Sequence, residues 1–436
     1  MIRFYAATLG CKINQYETRA IAEAWARNAG APAAESGDPR AADLILVNSC
    51  AVTANAVADL RQAVRKLHRD NPSAPIIVTG CAAQVMPDEL AGLPGVVRVV
   101  PQADKAALLA GPGGEPLPEP APFPPFAITG YDRARPVVKV QDGCSHHCTY
   151  CIVPLTRGRS VSREPGEVAA EVRRLLDGGW RELILSGINL RHYGRGLAEK
   201  TDFWDLVARL EREFAPEWSG RARLRLSSVE PGQLDAKGFD TLAASVLVCP
   251  QLHLSLQSGD PDVLRAMGRG HYRPETAVEF LDRLREPWPV FGLGADFICG
   301  FPGETPEQFE NTLTLARRLP LTYAHVFPYS ERPGTPAADM PNQVDPAERK
   351  ARAARLRKLV AGRKRVFLDR LLGTGRLDVL VQDARGEGVS QYYAACRFGA
   401  PLPGDPVRAL IPARPVAVER GVILVEPLDA KGEASL

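Results

Sequence analysis

Six times between Pro136 and Pro328 a short apolar run is followed by a stretch of helical periodicity. The strand candidates are Pro136–Val140, Glu182–Ser186, Arg223–Ser227, Gln251–Leu256, Leu293–Ile298 and Tyr323–Pro328. Helical stretches such as Pro165–Asp177 and Thr305–Leu319 lie between them. Strands that alternate with helices pair in parallel, because each crossover carries the chain back across the sheet. Six such units predict a partial or full βα barrel, whose active site gathers at the C-terminal strand ends.

The same alternation begins earlier. Phe4–Leu9, Asp43–Asn48 and Pro75–Gly80 read as strands, Gln15–Asn28 and Ala54–Arg69 as helices. They predict a separate open parallel α/β domain. Seven prolines within Ala110–Ala127 exclude helix and central strand there and predict a stiff linker. Beyond Arg365–Thr374 the pattern changes to short strands at Arg376–Val381, Val389–Cys396, Pro406–Ile411 and Val416–Val425, expected to close a small β-barrel. The fold class is therefore α/β, with an N-terminal domain over 1–113, a linker over 114–129, a βα partial-barrel core over 130–362 and a β-barrel over 363–436.

No apolar run is long enough to span a bilayer, which predicts no membrane partner. Met1-Ile2-Arg3-Phe4-Tyr5 enters a strand pattern without the features of a signal peptide, so a cytoplasmic location is expected. Cytosolic thiols are kept reduced, and nine cysteines then point to metal or catalytic use. The formal net charge of +3 is too small to demonstrate a nucleic-acid partner. Its distribution says more, because Arg349–Arg370 holds ten Lys/Arg against one acid, Asp369. That run is either a polyanion contact or a solvated basic helix.

Cys144, Cys148 and Cys151 follow directly on the strand candidate Pro136–Val140, on a loop at the catalytic face. Their C-x3-C-x2-C spacing lets three thiolates hold three irons of a cubane cluster. A fourth iron is left open, as a reactive metal centre requires. The competing reading is structural zinc, with His146 or His147 as fourth ligand, although both lie inside the same tight loop. Cys11, Cys50 and Cys81 each fall just past a predicted parallel strand of the first domain. That rim is where open α/β sheets bind ligands, so the three converge, unless each is simply a buried small hydrophobe. Cys249, Cys299 and Cys396 match neither set, and Cys249 and Cys299 are expected as packing residues.

Gly143-Cys144-Ser145-His146-His147-Cys148-Thr149-Tyr150-Cys151 resembles the cysteine loop of the radical S-adenosylmethionine superfamily. The resemblance implies a [4Fe–4S] cluster on Cys144, Cys148 and Cys151 whose open iron is chelated by S-adenosylmethionine, and a 5′-deoxyadenosyl radical from its reductive cleavage. It also implies cofactor contacts from the Gly187–Gly194 block and from the strand that ends in Phe301-Pro302-Gly303-Glu304-Thr305. Gly187, Asn189, Glu230 and Asp296, at strand ends, are the candidate cofactor-binding residues.

The segments Thr8–Thr18, Val47–Thr53 and Val78–Gln84 are similar to the three N-terminal cysteine blocks of the methylthiotransferases within that superfamily. That narrower resemblance covers nearly the whole chain. It implies a second [4Fe–4S] cluster on Cys11, Cys50 and Cys81, and insertion of a methylthio group at an unreactive C–H carbon. Two S-adenosylmethionine molecules, a sulfur source and an electron donor protein are implied with it. The last unit resembles, more loosely, the small RNA-binding TRAM barrel.

Members of the family act on isopentenyladenosine or threonylcarbamoyladenosine in tRNA, or on a ribosomal-protein aspartate. Lys12–Thr18, Arg225–Pro231 and His325–Thr335 are similar to the threonylcarbamoyladenosine branch. This implies adenosine 37 in a tRNA anticodon stem-loop as substrate, methylthiolated at C2. Arg157, Arg159 and Arg163, just past the cysteine loop, are candidate phosphate contacts for that stem-loop. A target in a single-stranded loop suits base modification, which needs an unstacked nucleotide. His146 and His147 either tune the cluster or face solvent. A non-catalytic zinc-bearing RNA-binding protein is the alternative outside enzymology.

Overall fold

The computed structural model of the chain describes residues 2–27, 33–115 and 123–428. The first domain carries strands β1 (Ile2–Thr8), β2 (Ala33–Glu35), β3 (Leu44–Ser49), β4 (Ile76–Gly80) and β5 (Val96–Pro101). They pair in parallel in the order β2-β1-β3-β4-β5. Every residue of β3 and β4 is buried, as expected of central strands covered on both faces. Helix α1 (Lys12–Arg27) covers one face and α2 (Ala54–Asp70) the other; the Thr53 hydroxyl caps α2 by accepting the Ala56 amide at 3.1 Å. Part of the Pro-rich stretch, residues 116–122, lies outside the described residues.

The barrel strands are β6 (Val137–Lys139), β9 (Glu182–Ser186), β10 (Arg223–Leu226), β11 (Gln251–Gln257), β12 (Gly292–Cys299) and β13 (Tyr323–Pro328); a two-stranded ribbon of β7 (Gln141–Asp142) and β8 (Val161–Ser162) flanks the cysteine loop. All six anticipated strands are present. They form two three-stranded parallel sheets, β10-β9-β6 and β11-β12-β13, joined through isolated bridges Leu224–Val248 and Val229–Leu254. Among the described residues no strand pairs β13 with β6, so the barrel is partial and open on one side. One apolar core runs from Phe4, Tyr16 and Trp25 into Val138, Val172 and Leu185, fusing α1 to the barrel.

Strands β14 (Leu377–Val381), β15 (Glu387–Ser390), β16 (Ala395–Phe398), β17 (Leu410–Glu419) and β18 (Val422–Pro427) close into a barrel in the order β14-β15-β16-β18-β17. Two strand expectations are corrected here. Val389–Cys396 is divided by a turn at Gln391–Ala394, where Tyr393 takes a φ of 65°. Pro406–Ile411 and Val416–Val425 are replaced by a ten-residue strand and its hairpin partner, turning at Arg420 (φ 51°) and Gly421 (φ 80°). Pro412 and Pro415 argue against a strand in sequence; in β17 Pro415 sits at a register shift against β18, a bulge where proline is allowed, and the Pro412 carbonyl still accepts the Leu428 amide at 2.9 Å.

The helix Pro346–Leu372 leads into this barrel without a break, so position 362 falls inside it. The β-barrel covers the N-terminal ends of the core strands, opposite the cysteine loop. Arg223 donates to the carbonyls of Asp378 (2.7 Å) and Val389 (2.9 Å), and Arg225 to that of Ser390 (3.1 Å). At Gly292 a Cβ would lie 2.1 Å from the Tyr392 carbonyl oxygen, so only glycine admits the approach.

Candidate active site

Cys11, Cys50 and Cys81 follow the C-terminal ends of the adjacent strands β1, β3 and β4. The register aligns Thr8 with Asn48 and Ser49 with Gly80, which brings the three thiols to one rim. Two glycines permit this. Gly10 (φ +101°) has no room for a Cβ, which would stand 2.5 Å from Cys50 Cβ, and Gly80 (φ +100°) would clash with the Ser49 carbonyl at 2.4 Å. Burial pushes the Cys50 thiol up to about 11, with Cys81 and Cys11 adding to the shift.

Cys144, Cys148 and Cys151 converge likewise, being mutual neighbours in the field that acts on Cys151. The loop is anchored at both ends. The Cys144 amide donates to the Gly158 carbonyl (3.0 Å), and the Thr149 amide to that of Met267 (3.0 Å). Burial pushes Cys151 up to about 12 and also raises Cys144. Polar groups are aimed at the sulfurs: Asn189 Nδ2 is 3.7 Å from Cys144 Sγ and Arg269 3.8 Å from Cys148 Sγ.

Both triads consist of free thiols. A buried uncharged thiol gains little here, whereas a metal would ionise it and give the surrounding cations a partner. The first triad faces such cations. Lys105 and Arg157 both feel Cys81, and the buried Arg332, whose Nε has no hydrogen bond, feels Cys50. Three thiolates and an open coordination site fit a [4Fe–4S] cluster at either place.

Between the two triads runs a sealed ionic network. Glu17 on α1 accepts from Lys105 (2.6 Å), Lys139 (2.7 Å) and Arg157 (2.9 Å). Lys139 and Arg157 also reach Asp142, and Arg157 donates to Asn14 Oδ1 at 2.7 Å. Asn14 in turn donates to the carbonyls of Leu9 and Ser49, each within two residues of a first-triad cysteine. Burial opposes the charge on Glu17, but Arg157, Lys105 and Lys139 outweigh it and hold the carboxyl well below its usual range. Two carboxylates face three cations, which leaves positive charge beside the first triad.

A cavity of about 210 Å³ lies beside the cysteine loop, with Cys151 in its wall. Val52 and Thr53, just past Cys50, line one wall; Tyr150, Cys151 and Val153 line another; Asp296, Ile298 and Phe327 close it from the barrel. Gln257 lines it too, with a φ of 64° that a side chain adopts only at a cost. On the far side of Cys144 lies a second group. Glu230 Oε1 is 2.8 Å from His271 Nε2, 3.2 Å from Arg269 and 3.6 Å from His146 Nδ1. Burial opposes its charge, yet the His271 hydrogen bond and Arg269 hold Glu230 down at about 2. His192 packs on His146, with ring centroids 4.8 Å apart, and burial lowers it to about 4. Glu230 Oε2, His146 Nδ1 and His192 Nε2 are buried without hydrogen-bond partners, a polar lining suited to a polar cofactor.

The anticipated cofactor residues divide between these places. Asn189 and Glu230 flank Cys144, and Gly187 packs tightly on Gln141, where a Cβ would lie 2.9 Å from its side chain. Asp296 instead faces the cavity and the barrel lumen, bonded to His253 and His325. Cys249 and Cys299 are buried as expected, and Cys396 is buried in the β-barrel core. His146 is half-buried against Glu230, whereas His147 faces solvent.

Two of the three candidate phosphate contacts are overturned. Arg157 is consumed by Glu17 and Asp142, and Arg163 by Glu171, both out of solvent. Arg159 alone of the three is exposed. The basic run divides too. Arg349 and Arg352 are buried structural ties to Glu331 and Glu304, and Arg357 and Arg370 bond backbone carbonyls. Lys350, Lys358, Lys364 and Arg365 remain exposed. Lys105, Lys139, His192, Arg269 and His271 were not anticipated. A lysine in an apolar strand, Val137-Val138-Lys139-Val140, was the signal for the first pair, since a buried charge requires a partner.

Comparison with known proteins agrees with this architecture. Residues 138–316 match the Radical SAM superfamily, and residues 3–101 match the family described as Uncharacterized protein family UPF0004. The methyltransferase TsrM from Kitasatospora setae has the same fold, with a TM-score of 0.56 at 17% identity over 78% of this chain and 75% of that one. Fold and cysteine loop thus define a radical S-adenosylmethionine enzyme. Threonylcarbamoyladenosine tRNA methylthiotransferase of Rickettsia prowazekii (strain Madrid E) is 35% identical over 392 residues, covering 88% of each chain. The Bacillus subtilis (strain 168) protein of that name is 35% identical over 80% of this chain and 78% of that one. A tRNA-2-methylthio-N(6)-dimethylallyladenosine synthase of Anaplasma marginale (strain St. Maries) is 33% identical over 99% and 95%. The chain belongs to the radical S-adenosylmethionine methylthiotransferase family, in the branch that the first two relatives represent.

Proposed function

We propose that the chain converts N6-threonylcarbamoyladenosine at position 37 of tRNA to its 2-methylthio derivative, consuming two S-adenosylmethionine and a sulfur source. The observation that carries this is the cavity lined by Cys151 and Tyr150 of the cysteine loop on one side and by Val52 and Thr53, just past Cys50, on the other. In this reading Cys144, Cys148 and Cys151 hold one [4Fe–4S] cluster, and Cys11, Cys50 and Cys81 a second. Bound beside the first cluster, S-adenosylmethionine supplies the radical that takes hydrogen from an unactivated carbon. Asn189 and Glu230 orient that cofactor at Cys144, and Tyr150 and Phe327 hold the adenine against it and exclude water. The Glu17 network fixes the distance between the triads, because it bonds to residues next to both. An external reductant and the exposed cations Arg159, Lys358 and Arg365, which meet the anticodon stem-loop, complete the system in the cytoplasm, where tRNA is modified.

The Anaplasma relative favours a second reading, with isopentenyladenosine as substrate. Mass spectrometry of tRNA nucleosides from a strain lacking the gene separates the two. Loss of the methylthiolated threonylcarbamoyl nucleoside, restored by the wild-type gene, is expected. Its persistence, with loss of the methylthiolated isopentenyl nucleoside, would overturn the first reading in favour of the second.

A further inference from the structure

Two layers line the inner face of β12 and β13. Ile298 pairs with Phe327 near the strand ends, and both line the cavity that has Cys151 in its wall. Asp296 pairs with His325 one step deeper, about 7 Å back along the strands. Alternate residues of a strand share a face, so His325 stands beneath Phe327, with ring centroids 6.4 Å apart. Asp296 lines the same cavity. Both imidazoles meet one of its oxygens: His253 Nε2 is 2.9 Å and His325 Nδ1 3.0 Å from Asp296 Oδ1. Burial opposes the charge on Asp296, but the bonds to His253 and His325 hold it down at about 2. An apolar wall thus gives way to a polar one within a single opening.

Arg225 fixes the direction of the hydrogen bonds behind this layer. A guanidinium only donates, so the Gln251 oxygen 2.9 Å from Arg225 Nη1 is an acceptor. Gln251 Nε2 therefore donates to the Tyr323 hydroxyl at 3.0 Å. The hydroxyl proton remains, and His253 Nδ1 lies 3.0 Å away to accept it. His253 Nε2 then donates to Asp296, which as a carboxylate only accepts. His325 donates to the same oxygen through Nδ1, which leaves its Nε2 as an acceptor. Gly294, paired with Tyr323, makes room for this chain, because a Cβ there would collide with both His253 Nδ1 and the Tyr323 hydroxyl. His253, Asp296 and His325 have the composition of a metal site. Their donors and acceptors are matched without an ion, which argues against one. Among the described residues His325 Nε2 has no hydrogen-bond or ion-pair partner, and the side chain is 59% exposed.

We propose that His325 is a specificity-determining residue, its Nε2 accepting a hydrogen bond from the hydroxyl of the amino-acid substituent on N6 of the target adenosine. This rests on the threonylcarbamoyladenosine reading above, in which Phe327 holds the adenine. The hydroxyl lies about five bonds from N6, a reach of roughly 6 Å at ordinary bond lengths and close to the spacing of the two layers. The carbamoyl group lies too near N6 to span it. The carboxylate has the reach but would meet Asp296 charge to charge. An isopentenyl group would cover His325 and Asp296 with hydrocarbon, which is costly for polar groups.

The test uses the full chain with both clusters reconstituted and three anticodon stem-loop RNAs. The first carries threonylcarbamoyladenosine. The second carries its analogue with 2-aminobutyrate in place of threonine, which lacks only the hydroxyl. The third carries isopentenyladenosine. Wild type should bind the first RNA about fivefold more tightly than the second, the scale of one neutral hydrogen bond. His325→Phe should lose that preference by weakening the first RNA alone, and His325→Gln, whose amide oxygen reaches the Nε2 position, should restore most of it. Iron content and affinity for the second RNA equal to wild type show that the variants are folded. If wild type binds the first two RNAs equally and modifies both, the role of His325 is overturned and the substrate reading stands. Equal weakening of both in a fully loaded His325→Phe, or an unchanged preference, overturns it too. If wild type prefers and modifies the isopentenyl RNA, the substrate reading falls and the role of His325 with it.

Discussion

Lys139 on the first barrel strand places its Nζ 2.7 Å from Oε1 of Glu17 on the first helix of the N-terminal domain, and neither side chain touches solvent. Such a pair survives only where geometry compensates the loss of water, since desolvation costs several kcal/mol per ion. Here Glu17 is bonded by three cations and Lys139 by two carboxylates. The two cysteine triads are thereby mounted on a single rigid joint.

Glu17→Gln should destabilise the chain by about 3–5 kcal/mol, because it leaves Lys105, Lys139 and Arg157 buried against Asp142 alone. Urea unfolding measures this. Adding Lys105→Met in the same chain should recover part of the loss, since the surplus cation is then gone. A loss below about 1 kcal/mol, the scale of an exposed pair, would mean that the joint is wet in solution.

Arg157 and Arg159 separate a structural from a nucleic-acid role two residues apart. Arg159→Ala should leave stability unchanged, weaken binding to an anticodon stem-loop RNA and reduce the slope of log K against log salt by about one. Arg157→Ala should lower stability, because its partners Glu17 and Asp142 lose a buried counter-ion. A salt slope that responds to Arg157→Ala in folded protein and ignores Arg159→Ala would reverse these roles.

The difference between those arginines also marks where sequence reading stops. The six βα units and both cysteine triads were legible, because strand period, helix period and cysteine spacing are local patterns. The triads needed one further step, that parallel strands end at a common rim, and the register of Thr8, Asn48 and Ser49 bears it out. Pairings such as Lys105 with Glu17, 88 residues apart, leave no local trace. The basic run misled for the same reason: Arg349 and Arg352 are partnered by Glu331 and Glu304, which no periodicity connects to them. In the β-barrel, prolines concealed a strand that carries one of them, Pro415, at a bulge.

Removing one thiol from each triad should divide the iron. Reconstituted wild type should take up about eight irons, the content of two cubane clusters, and Cys148→Ala or Cys50→Ala about four each. Only Cys148→Ala should abolish release of 5′-deoxyadenosine from S-adenosylmethionine, read by chromatography after reduction. Release at the wild-type rate from Cys148→Ala would contradict the role proposed for that loop.

Glu182 gives a pH test of how the β-barrel is held. Its carboxylate is buried and lies 2.6 Å from Arg223 and 2.7 Å from Arg225, the two arginines that bond the carbonyls of Asp378, Val389 and Ser390. Burial opposes its charge, but Arg225 and Arg223 outweigh it and hold the carboxyl below its ordinary 4.5. A carboxylate depressed in the folded state contributes stability that is present above its unfolded value and is lost as pH falls towards the folded one. Glu182→Gln should therefore cost about 3–5 kcal/mol near neutral pH. Below pH ~4.5 wild type alone must pass this proton to the unfolded chain, so the gap should narrow by about 1.4 kcal/mol per pH unit. Urea unfolding of both proteins from about pH 7 to pH 3 reads the gap, which isolates Glu182 from the other carboxylates titrating alongside it. A gap that stays constant across that range would show that the arginines do not depend on the charge of Glu182, and that the β-barrel is held by its apolar contacts alone.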